Sequence, residues 1–206
     1  MPDISQPPAT PTSKPSRRAS GIGSTIGILL LAPLIAVFLT TFVFQSYQVS
    51  GQSMQPTLHN ADRLVIWKLP RTWSRITGNS YVPARGDVII VKTSKLAAAG
   101  LDPSEQIIKR VIGLPGDRVV VKDNSLTIYN SDYPGGFQPE KTLPYGEAIQ
   151  GTNNDGEWVV GSNQLFICGD NRYNSSDSRI FGPISTNDVI GKLVIRVLPA
   201  QDIKTF

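Results

Sequence analysis

A chain of 206 residues is long enough for one domain, or two, with a real hydrophobic core. A charged fraction of 17% and a formal net charge of +4, with no basic stripe, exclude nucleic acid as the partner. The single cysteine, Cys168, excludes an internal disulfide, and the single histidine, His59, excludes a His-rich metal site, so neither a metal nor another cofactor is expected.

Residues 1 to 20 are rich in Pro, Ser and Thr and have no apolar periodicity, which predicts a disordered tail. Lys14, Arg17 and Arg18 against Asp3 make it basic. From Ala19 to Ala61 there is no Asp, Glu, Lys or Arg. Inside that span, Ile26 to Phe44 (IGILLLAPLIAVFLTTFVF) is almost continuously apolar. As a helix it would reach roughly 28 Å, close to the ~30 Å hydrocarbon core of a bilayer. Pro33 is compatible with a membrane helix. The run exceeds the usual apolar segment of a cleavable signal peptide, and no small-x-small site follows it, so residues 21 to 45 are expected to be a retained transmembrane anchor. Arg17 and Arg18 just before it place the N-terminus in the cytoplasm and everything after Gln45 outside it, whether at a plasma or a thylakoid membrane.

Residues 46 to 206 predict a mainly β domain of folded-over antiparallel sheets. DRLVIWKL, GDVIIVKT, EQIIKRVIGL, DRVVVKD, SLTIYN, EWVVG, QLFICGD and GKLVIRVL are short β-branched runs separated by Gly, Pro, Asn and Asp. Several are apolar on both faces, as in strands covered on each side. Thr93 to Glu105 and the Gly/Pro/Asn-rich Asn130 to Gly156 look like insertions. The run VIWKLPRTWSRIT, residues 65 to 77, combines Trp67 and Trp73 with Lys68, Arg71 and Arg75, a composition suited to a membrane surface; the alternative is that both indoles pack in the β core.

Three stretches could carry chemistry. SGQSMQPTL holds Ser53 soon after the apolar run. IIKRVIGLPGD holds Lys109, with Ile107 and Val111 on the same face by period-2 alternation. An ammonium among apolar neighbours loses hydration, which lowers its pKa and makes a neutral amine available to take a serine proton. The alternative for Lys109 is an amine reaching to solvent at a strand edge. His59, the rival base, sits beside a turn signal and has only Asp62, too close in the chain, to orient it. GDNRYNSSDSRIFGP is either a hydrophilic turn or a polar network around the amine. Cys168, between Ile167 and Gly169, reads as a small buried apolar residue.

These segments together resemble a known family, the type I signal peptidases or leader peptidases, membrane-bound Ser-Lys proteases. SGQSMQPTL is similar to the family's S-M-x-P-T-L segment and RGDVIIV to its next strand. KRVIGLPGD resembles its general-base segment, and GDNRYNSSDSR its G-D-N-R-x-N-S-x-D-S-R segment. The four occur in family order behind an N-terminal anchor. The resemblance implies that Ser53 is the nucleophile and Lys109 the general base. It implies that Ser175 orients the lysine and that Asp177 and Arg179 form a supporting ion pair. Tyr47, Val49, Met54 and Ile108 would bind substrate, with small side chains at positions −1 and −3. Gly51 stands where many members carry a serine that helps hold the oxyanion, so the oxyanion would rest on Ser53 and Gly51. Tyr173 replaces a commonly acidic residue, and one span is seen where some members have two.

The implied activity is removal of signal peptides from preproteins, beside a lipid bilayer that tethers enzyme and substrate together. Two other readings compete. A self-cleaving repressor would share the dyad but carry a DNA-binding segment, and a non-catalytic membrane-tethered binder would leave preproteins uncut. Oligomeric state has no signature in the sequence.

Overall fold

The computed structural model describes residues 21–78, 80–143, 149 and 151–206, with side chains from residue 27 onward. The expected tail at residues 1–20 lies outside the described residues, as do 144–148 and 150 of the second expected insertion. The chain divides into two compact units at Phe38.

The first unit contains helix α1, Gly21–Phe38, which carries Pro33 within it. Its side chains from Ile28 to Phe38 are exposed apolar ones. A π-helical stretch, Leu39–Val43, opens the second unit. Among the described residues, no helix is long and apolar enough to cross a membrane.

The second unit is mainly β. Its strands are β1 (Phe44–Gln48), β2 (Arg63–Trp67), β3 (Val88–Val91), β4 (Ile107–Gly113), β5 (Arg118–Lys122), β6 (Ser125–Tyr129), β7 (Gly156–Val159), β8 (Gln164–Cys168), β9 (Ile184–Ser185), β10 (Val189–Leu198) and β11 (Lys204–Thr205). Short helices α2 (Leu69–Thr77), α3 (Pro139–Thr142) and α4 (Ser178–Phe181) lie between them. An eight-stranded sheet runs β1-β2-β10-β3-β4-β8-β9, with β11 on β10, and a three-stranded sheet runs β6-β5-β7. Every pairing is antiparallel.

Strand β3 shows why the runs lack polar alternation. Ile89 and Val91 pack with Val111, Leu165 and Ile167, while Val88 and Ile90 pack with Met54, Leu64 and Leu193 on the other face. The sheet is buried on both sides there, so each position favours an apolar residue. The three-stranded sheet closes over a further core of Ile112, Val119, Ile128 and Phe166.

Three details differ from the sequence reading. Phe44 and Gln45, counted with the anchor, are the first residues of β1 and pair with Trp67 and Ile66. A nine-residue helix, α2, occupies part of a segment read only as basic and aromatic. Thr93 to Glu105, read as an insertion, sends Leu96 fully into the core beneath Ala99 and Leu101.

Candidate active site

Ser53 sits in the turn between β1 and β2. Two plugs hold that turn down: Met54 and Leu58 are buried, and the Leu58 N–H donates to the Met54 carbonyl at 2.9 Å. Gly51 takes φ +98°, a conformation that disfavours any residue with a Cβ, and its N–H donates to Asn60 Oδ1 at 3.0 Å. From the other side, the Asn171 N–H donates to the Ser53 carbonyl at 3.0 Å, and Asn171 Nδ2 donates to the Gln52 carbonyl at 3.3 Å. Gly169 passes so close beneath that a Cβ there would collide with the Ser53 carbonyl and Ser175 Oγ.

Lys109 comes from β4, opposite Ile89 of β3, and is 4% exposed. Its Nζ donates to Ser53 Oγ at 2.8 Å and to the Ile108 carbonyl at 3.1 Å. Burial lowers the amine to about 8; Asp177, Cys168 and Asp170 push it back up, and Arg179 lowers it further. The desolvation argued from the strand pattern is thus the dominant cause, and His59, the rival base, lies exposed in its turn.

Asp177 and Arg179 form the expected ion pair, fully buried and two-pronged, with Nε to Oδ1 at 2.8 Å and Nη2 to Oδ2 at 2.7 Å. Asp177 also accepts the Gly169 N–H at 2.9 Å, and Arg179 donates to the Arg172 carbonyl at 2.7 Å. Together these bonds fix the loop that supports Ser53. The expected bond from Ser175 to Lys109 is not made: the buried Ser175 hydroxyl has no partner among the described residues, although Ser175 lines the same cavity as Ser53 and Lys109.

The substrate-binding residues divide. Tyr47, Val49 and Ile108 line a cleft of about 350 Å³ that reaches Ser53 and Lys109. Met54 does not line it; it is 1% exposed and packs in the core beneath. Gly51 is likewise unsuited as an oxyanion donor, because its N–H is already held by Asn60. No partner holds the Ser53 N–H among the described residues.

Sequence reasoning missed a second buried pair. Arg110, beside the lysine, binds Asp170 through Nε to Oδ1 at 2.7 Å and Nη2 to Oδ2 at 2.6 Å. It ties β4 to the start of the polar loop. The signal was present as the Arg after Lys109 and the Asp after Gly169, an acid and a base in facing motifs. Arg172 was also missed; it is buried and reaches Glu140, Thr152 and the Gly169 carbonyl.

Residues 22–198 match the family described as signal peptidase, peptidase S26. The chain belongs to that family. Among the relatives of this signal peptidase family member is signal peptidase I P of Bacillus subtilis subsp. natto, 30% identical over 93% of this chain and 97% of that protein. The probable signal peptidase I-1 of Synechocystis is 32% identical over 87% of this chain and 84% of its own length. Signal peptidase I of Leptolyngbya laminosa is 30% identical over 95% and 89%. The family makes the chain a serine protease of the type I signal peptidase class, with a mainly β antiparallel fold. Cys168, next to this site, is buried, and burial raises its thiol, so it behaves as the apolar filler expected.

Proposed function

We propose that the chain removes signal peptides from exported preproteins by Ser-Lys catalysis, cutting after small residues at −1 and −3. The observation that carries this reading is the 2.8 Å contact between Lys109 Nζ and Ser53 Oγ, made by an amine that burial lowers to about 8. The substrate lies extended in the cleft lined by Tyr47, Val49 and Ile108, adding a strand beside β1, an edge of the sheet.

Neutral Lys109 accepts the Ser53 hydroxyl proton as Oγ bonds to the scissile carbonyl carbon. The oxyanion is held by the Ser53 N–H. The resulting ammonium gives its proton to the leaving amine as the peptide bond breaks, which returns the lysine to neutrality. Lys109 then takes a proton from the water that attacks the acyl-enzyme ester, and returns it to Ser53 Oγ as the ester breaks. Lys109 Nζ is steadied during these transfers by the Ile108 carbonyl, and the Asp177–Arg179 pair holds the loop that carries Ser175 at the wall of the same cavity.

The apolar run Ile26 to Phe44, made of α1 from Ile26 onward, the π-helical stretch and the first residue of β1, anchors the enzyme in the membrane with its N-terminus in the cytoplasm and its catalytic unit outside.

Purified full-length protein incubated with a preprotein tests the dyad. Ser53→Ala and Lys109→Ala should each reduce cleavage by at least about a thousandfold while leaving the fold intact by circular dichroism. Wild-type-like cleavage by either variant would refute the assignment.

A further inference from the structure

Helix α2 is inside out. Its two buried side chains are polar, Arg71 and Ser74. Arg71 donates to the Val189 carbonyl at 3.0 Å and the Asn187 carbonyl at 2.7 Å, and Ser74 Oγ accepts the Tyr81 N–H at 3.1 Å. Its outward stripe, spaced i, i+4, i+7, is Leu69, Trp73 and Ile76, with Trp73 63% and Ile76 73% exposed. A short surface helix in water is expected to face the other way. Neither tryptophan of this segment is in the β core, since Trp67 is exposed as well.

The place of α2 in the chain path says what covers the stripe. The Lys68 N–H, just before the helix, donates to the Val43 carbonyl at 2.7 Å, and Lys68 Nζ donates to the Thr41 carbonyl at 2.7 Å and to Gln45 Oε1 at 3.1 Å. Thr72 Oγ1 donates to the Phe42 carbonyl at 3.2 Å. These partners are the last residues of the apolar run and the first beyond it. In the sheet, Trp67 faces Phe44, the last residue of that run, and both are exposed. An ammonium at the carbonyl end of a helical segment is favourably placed, so the tie is electrostatic as well as geometric. No acidic residue occurs between Asp62 and Asp87, whereas Arg63, Lys68, Arg71, Arg75 and Arg85 do.

We propose that α2 is an interfacial helix, with Leu69, Trp73 and Ile76 seated at the headgroup–acyl boundary of an anionic bilayer, the membrane that holds the anchor. The inference rests on the reading of Ile26 to Phe44 as that anchor. A helix bonded to the point where the chain leaves the bilayer lies at bilayer height. Its aromatic, aliphatic and basic composition suits that layer, with Trp67 and Trp73 at the headgroup level and Arg75 among anionic headgroups. Docking there sets the height and tilt at which Ser53 meets a membrane-tethered substrate.

Nitroxide labels on full-length protein test this in vesicles of phosphatidylcholine with a minority of phosphatidylglycerol. Ile76→Cys, Ile35→Cys in α1 and Val159→Cys on β7 are compared, Cys168 being buried and slow to react. Position 76 should be accessible to oxygen and shielded from a water-soluble nickel chelate, position 35 more so, and position 159 fully open to the chelate. If 35 is shielded and 76 open, the docking is wrong and the anchor stands. If 35 is open, the anchor reading fails and this inference with it. If the label at 76 becomes immobilised in detergent as protein concentration rises, a second copy covers the stripe and the proposal is overturned. A double variant, Trp73→Ser with Ile76→Ser, should cleave a co-reconstituted preprotein roughly fivefold more slowly than wild type and a soluble peptide at the wild-type rate. Equal loss on both substrates would mark α2 as merely structural.

Discussion

A lysine made usable by burial carries a cost to folding. In the unfolded chain Lys109 binds its proton up to about pH 10.5, and in the folded protein only up to about 8. Between those values the unfolded state holds the extra proton, so Lys109 opposes folding fully below about 8, and stability rises as pH climbs from there towards about 10.5. The cost at neutral pH is about 3 kcal/mol, to order of magnitude. Lys109→Met should therefore melt at a higher temperature than wild type at pH 7, lose that advantage by pH 10, and cleave nothing. A variant less stable at pH 7 would show that the amine is not held near pH 8. The same proton governs catalysis: kcat/KM should rise tenfold per pH unit below about 8 and level off above it. A pH–rate profile centred near the ordinary lysine value would contradict the assignment.

Among the secondary-structure elements, the polar loop after β8 does the positioning, and it does so by backbone contact. Gly169 is its narrowest point, lying against the Ser53 carbonyl and Ser175 Oγ while its N–H binds Asp177. Gly169→Ala should displace the nucleophile and lower kcat on the order of a hundredfold, the scale at which a misplacement near 1 Å acts. An alanine variant with wild-type kcat would show that the loop does not set the position of Ser53.

This also explains what the sequence could show. All eight β-branched runs became strands, because a covered sheet demands apolar residues along its length. Lys109 was legible because a charge stood out in one of those runs. Asn171 was not, because its hold on Ser53 is through a backbone N–H that any side chain but proline would supply. The oxyanion role expected of Gly51 could not be judged in advance, since it turned on which way one N–H pointed and on Asn60, nine residues later. Met54 was misplaced for a similar reason: adjacency to Ser53 in the chain put its side chain under the turn, not in the cleft. Helix α2 hid because nine residues are too few for a convincing helical period, and because its apolar face points outward.

For the whole molecule, the proposed anchor turns a bimolecular encounter into a search within one membrane. Ser53 follows the end of the apolar run by nine residues, Phe44 to Ser53, so the site stays near the surface where signal peptides emerge. Effective concentration then depends on the membrane and not on the bulk. Diluting vesicles that hold both enzyme and preprotein should leave the fractional rate of cleavage unchanged, whereas enzyme and preprotein in separate vesicles should slow in proportion. Dilution sensitivity in the shared vesicles would refute tethering.

The burial of Lys109 would also make this enzyme sensitive to the pH on the side of the membrane it faces. At pH 7 an amine near pH 8 is neutral in about a tenth of molecules, and in about a hundredth at pH 6. If the catalytic unit faces the compartment into which protons are pumped, each unit of acidification there withdraws most of the remaining competent enzyme. Signal-peptide removal would then slow when the gradient is steep and quicken when it collapses, with no regulatory ligand: the outer pH alone would meter the release of exported proteins.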